Sequence, residues 1–68
     1  MIEITIKAET LPNLWQISLI EKEDLFGKLT YEIVVSRDNK EDTRQVFDSE
    51  EVALGIFDGL LEYYTKLK

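Results

Sequence analysis

The sequence predicts an α+β domain: a four-stranded antiparallel meander with a single C-terminal helix packed on one face (β-β-β-β-α). Three observations predict it. Apolar and polar residues alternate in successive runs such as "IEITIKA" and "LTYEIVVSR". Short turn-forming segments join those runs, which favours antiparallel neighbours. The last twenty residues change to a helical apolar period behind a clear capping signal.

In "IEITIKA", Ile2, Ile4, Ile6 and Ala8 fall on one side and Glu3, Thr5 and Lys7 on the other, as in a half-buried strand. "ETLPN" supplies Pro12 and Asn13 for a turn. "LWQISLIEK" is the second strand, with Trp15, Ile17 and Leu19 toward the core. "EDLFGK" reverses the chain. In the third strand Leu29, Tyr31, Ile33 and Val35 point inward, while Thr30, Glu32, Val34 and Ser36 point out. "DNKED" reads as a polar turn, and "TRQVF" as a short fourth strand at an edge. No repeat or linker divides the chain, so residues 1–68 form one small acidic domain.

The helix start carries a specific pattern. With Asp48 as N-cap, Glu51 stands at N3 and completes a capping box. Phe47 and Val52 then have the spacing of a hydrophobic staple. Glu50 and Glu51 suit the positive end of the helix dipole, and Lys66 and Lys68 the negative end. At about 100° per residue, Val52, Ala53, Ile56, Phe57, Leu60, Tyr63, Tyr64 and Leu67 make one apolar face. Leu54 and Leu61 widen it to roughly 200°, more than one sheet requires. Leu11, Leu14, Leu25 and Phe26 could cover that excess from within the chain.

Composition excludes much chemistry. The 68 residues contain no cysteine and no histidine. Disulfides, thiolate sites and the usual zinc ligand sets are therefore absent, and so is the ordinary nucleophile–base pair. "DNKED" places Lys40 where a calcium loop requires an oxygen ligand, and no glycine-rich phosphate cradle is present. The expectation is a protein that is not an enzyme and holds no metal or cofactor. A cysteine-free chain whose first residues carry no signal-peptide pattern fits the cytoplasm, and no run approaches a membrane span.

The net charge is −6, and along the chain it is evenly spread. It favours solubility and a basic protein partner over direct nucleic-acid binding. Gly55 and Gly59 lie on the polar side of the helix with Glu51, Asp58 and Glu62. Each glycine gives up about 1 kcal/mol of helix propensity, which suggests close approach by another chain. The expected partner-binding residues are therefore Glu51, Leu54, Gly55, Asp58, Gly59, Leu61 and Glu62. Phe26 joins them as a loop aromatic that either caps the core or anchors a partner.

The leading expectation is a non-enzymatic protein-binding module, a small inhibitor or adaptor that presents carboxylates to a basic protein. That partner could itself be a nucleic-acid-binding protein, with the carboxylates in place of phosphates. Phage-encoded inhibitors resemble the chain in size, acidity and lack of cysteine. The alternative is a structural domain that forms a homodimer through its C-terminal helix. The order of elements also resembles that of the positive-cofactor-four-like single-strand-binding proteins, which dimerise. That resemblance implies nucleic-acid binding on the open sheet face, where the sequence places Glu3, Thr5, Gln16, Ser18, Thr30 and Glu32 with Lys7 as the clearest cation.

Overall fold

The structure is a computed structural model that describes residues 2–66. Strands β1 (Ile2–Thr10), β2 (Trp15–Glu23), β3 (Leu29–Arg37) and β4 (Lys40–Phe47) form one antiparallel sheet in the order β1-β2-β3-β4, and helix α1 (Glu50–Thr65) follows. This is the predicted meander with its single C-terminal helix. Leu67 and Lys68, placed by the sequence in the apolar face and at the helix dipole, lie outside the described residues.

Each turn follows from local chemistry. Asp38 and Asn39 both take positive φ, 54° and 64°, in a two-residue loop between paired Arg37 and Lys40. Asp and Asn tolerate that region better than other residues with side chains, and such a loop matches the twist of a hairpin. Because the loop is so tight, β4 starts at Lys40 and not at Thr43 as the sequence suggested. In the β1–β2 turn Leu14 itself takes φ 75°. Asn13 supports it, donating from Nδ2 to the Tyr64 carbonyl (2.8 Å) and accepting from the Trp15 N–H (3.4 Å).

The core lies between α1 and the middle of the sheet. Ile17 and Leu19 from β2, Tyr31, Ile33 and Val35 from β3, and Ala53 and Phe57 from α1 are its buried members. Trp15, Phe47, Leu54, Leu60, Leu61 and Tyr64 pack around it, with the Trp15 and Tyr64 rings 4.7 Å apart. Leu54 and Leu61 thus belong to the core margin. The exposed apolar flank of the helix is the other one, formed by Val52, Ile56 and Tyr63.

Two expectations fail here for definable reasons. β1 is exposed along its whole length, since the helix packs on β2, β3 and β4. A bulge also interrupts its alternation: Thr5 pairs with Ile20 and Lys7 with Leu19, which leaves Ile6 over. Beyond the bulge Lys7 lies on the helix side, 5.6 Å from the Phe57 ring centroid and 4.0 Å from Asp58, and Ala8 pairs with Ser18 on the open face.

The N-cap is Ser49, not Asp48. Its hydroxyl accepts from the Val52 N–H at 3.3 Å. Phe47 is still paired to Tyr31 in the sheet, so Asp48 is used in turning the chain and the cap falls one residue later. Glu51 moves to N2, and Val52 is 52% exposed instead of stapled to Phe47.

Phe57→Ala should remove about 3–5 kcal/mol, enough to unfold a domain of this size. Val52→Ala should stay within about 0.5 kcal/mol of the parent. Chemical denaturation of the two variants checks the contrast.

Candidate protein-binding surface

The helix ridge is open. An added Cβ at Gly55 or Gly59 would meet nothing within 4 Å, so neither glycine serves packing on the sheet. Glu51, Asp58 and Glu62 are exposed there. Two of the three are already engaged within the chain: Asp58 faces Lys7, and Glu62 accepts from Lys66 at 3.1 Å. Gly59, Glu62, Tyr63 and Lys66 line a shallow open depression of about 450 Å³. Leu54 and Leu61 do not join the ridge, because they pack against the core.

Phe26 is elsewhere, and it does not cap the core. It stands with Leu25 at the tip of the β2–β3 hairpin, where Leu25 is 85% and Phe26 94% exposed. Leu14 is exposed as well, so of the four suggested covers only Leu11 is buried.

The tip is held firmly. Asp24 donates its N–H to the Lys28 carbonyl (3.0 Å), and its own carbonyl accepts from Gly27 (3.1 Å). The Asp24 carboxylate accepts from the N–H groups of Phe26 (2.8 Å) and Lys28 (2.9 Å). Those two hydrogen bonds, first Lys28 and then Phe26, hold the Asp24 pKa below the usual carboxylate value. Gly27 closes the loop at φ 80°, a conformation that suits glycine.

Strand register gathers charge at this end of the molecule. The last rows of the sheet are Ile2–Glu23–Leu29, Glu3–Lys22–Thr30 and Ile4–Glu21–Tyr31–Phe47. The hairpin tip extends beyond them, and α1 begins immediately after Phe47 and Asp48. This apex therefore collects Glu3, Glu21, Glu23, Asp24, Asp48, Glu50 and Glu51, seven carboxylates, against the two ammonium groups of Lys22 and Lys28. Five of the six net negative charges reside here. Even spacing along the chain concealed this, because the acids come from β1, the β2–β3 hairpin and the helix start. A signal was present in the paired acids of "EKED" and "DSEE", which flank elements that meet.

The open sheet face is different. Glu32, 7% exposed, lies between Lys22 (2.6 Å) and Arg44, and Arg44 also reaches Glu41 at 2.8 Å. Hydrogen bonding to Lys22 is the main influence that lowers the Glu32 pKa, against the effect of burial and with help from Arg44. The face expected to offer Lys7 to a nucleic acid instead carries Lys22 and Arg44, both already paired with carboxylates. Lys7 points to the helix side.

No family model, curated protein or solved structure matches the chain. No helix among the described residues is long and apolar enough to cross a membrane.

Replacing Gly55 and Gly59 together with alanine should stabilise the fold by up to about 2 kcal/mol, since both sites are open and alanine restores helix propensity. A lower melting temperature would show that the ridge is not free.

Asp24, Glu32 and Glu41 all have folded-state pKa values held below their unfolded ones. Their stabilisation is complete above the unfolded carboxylate pKa of about 4 and is lost as pH falls through the depressed values. Melting temperature should hold from neutral pH to about 5 and fall below about 4. Glu32→Gln should lose less on acidification than the parent does.

Proposed function

We propose that this chain is a non-enzymatic protein-binding module that presents carboxylates to a basic protein, as a small inhibitor or adaptor in the cytoplasm. The observation that carries the reading is the apex, where seven carboxylates from three parts of the chain share one end of the molecule with exposed apolar residues. Charge complementarity of this kind accelerates encounter and selects partners by sign. Glu21 and Glu23 stand two residues apart on one strand, about 6.8 Å, and project to the same face. A pair of carboxylates at a spacing near that of successive phosphates suits the basic surfaces of nucleic-acid-binding proteins, and mimicry of a phosphate backbone is the stronger form of the proposal. Phe26 belongs to this surface, and Glu51, in the first turn of the helix, stands where it meets the helix ridge. Asp58, Gly59 and Glu62 belong to the helix ridge.

Self-association is the second reading, and the open ridge favours it. Gly55 and Gly59 leave room for another backbone beside the exposed Val52, Ile56 and Tyr63.

The test of the first reading compares two charge variants against a basic protein recovered by cross-linking. Glu21, Glu23, Glu50 and Glu51 changed together to glutamine should slow association and flatten its dependence on salt. Asp58→Asn with Glu62→Gln should leave both unchanged. The reverse pattern would move the interface to the helix ridge. Light scattering across a range of concentration, with and without Gly55→Ala and Gly59→Ala, tests the second reading.

A further inference from the structure

Phe26 and Leu25 are the most exposed large apolar side chains among the described residues. Isolated exposed apolar residues need no explanation, but these are neither isolated nor loosely held. Next to the tip, the terminal sheet row sets Ile2 and Leu29 on either side of Glu23, and the third row adds Ile4 on the same face of β1. Ile2, Ile4 and Leu29 are all exposed. These apolar side chains gather at one end of the sheet, with Glu23 between Ile2 and Leu29 and the other carboxylates of the apex nearby. An apolar centre inside a charged rim is the anatomy of a docking surface.

We infer that Leu25 and Phe26 are the anchor of that surface, inserting into an apolar recess on a basic protein, which rests on the reading of the apex given above. Four observations support it. The two side chains have no core to cap, because the helix begins beside Tyr31 and the hairpin runs past it. The loop that carries them is fixed by four hydrogen bonds and a left-handed glycine, so little order is lost when a partner binds. The rim is negative, which selects a partner whose recess is bordered by lysine or arginine. That same charge opposes apex-to-apex pairing of two copies and repels anionic lipid.

The probe is a short helical peptide of lysine and leucine in amphipathic order, with polylysine as the charge-only control. Titrated into the isotope-labelled full chain, it should move the amide resonances of residues 25 to 27 and bind more tightly than polylysine. Leu25→Ser with Phe26→Ser should weaken it by about thirtyfold, the loss typical of a central interface residue, with melting temperature unchanged. Equal binding to parent and double variant, or no movement of those resonances, overturns the anchor and leaves the acidic surface standing. If the four-glutamine variant binds both probes as well as the parent does, the underlying reading fails as well. Concentration-dependent dimers, or co-sedimentation with phosphatidylcholine vesicles, abolished by the serine changes would assign the tip to a second copy or to lipid and overturn the inference.

Discussion

A helix of sixteen residues is about 24 Å long, whereas strands of nine residues reach about 30 Å. One such helix must close the core of a sheet four strands wide. It cannot cover the sheet in either direction, and the organisation of the molecule depends on where it is placed. Ala53 and Phe57 seat it over Ile17, Leu19, Ile33 and Val35, and the Asn13 hydrogen bond to the Tyr64 carbonyl fixes its far end. What it leaves bare is β1 and the end of the β2–β3 hairpin. Ile2, Ile4, Ile6, Leu25, Phe26 and Leu29 meet solvent there.

The same placement sorts the charge. Antiparallel pairing brings the start of β1, the end of β2 and the start of β3 to one end of the sheet, and the turn after β4 delivers the helix N-terminus there. Glu50 and Glu51 have a local reason to be present, since carboxylates stabilise the first turn of a helix. Glu21 accepts from the Tyr31 hydroxyl beside it and Asp24 holds the loop, whereas Glu23 has no such local reason. Mutual repulsion among such groups works against the folded state, which is consistent with a surface whose role lies in meeting something else. On the open face, by contrast, Glu32 is surrounded by its own cations and closed to further ionic contact.

The two sheet edges also differ. β4 exposes Lys40, Glu41, Asp42 and Arg44 and is bulged between Val35 and Ser36 of its neighbour. Charge and bulging protect an edge against pairing with other chains. β1 uses the same devices only from its middle onward, with the bulge at Ile6 and Lys7 turned to the helix side. Its first residues carry isoleucines next to the hairpin tip, so they extend the apolar patch of the apex.

The sequence by itself determined the meander, its three turns, the helix and most of the central core, because period and turn chemistry are local. It also determined that cysteine and histidine chemistry are absent. Tertiary structure decided the rest. The start of β4 and the cap at Ser49 depended on which residues were still paired in the sheet. The bulge at Ile6 reversed the facing of Lys7 and Ala8, and alternation in a single strand carries no mark of it. Leu54 and Leu61 were drawn into the core margin while Val52, Ile56 and Tyr63 were left out, because the rotation of a helix with apolar residues on three sides is set by the sheet it meets. Phe26 was legible as a candidate, but its exposure followed from the difference in length between helix and hairpin. The acidic apex was invisible in a charge profile along the chain, since its members become neighbours only when three separate segments fold to the same end.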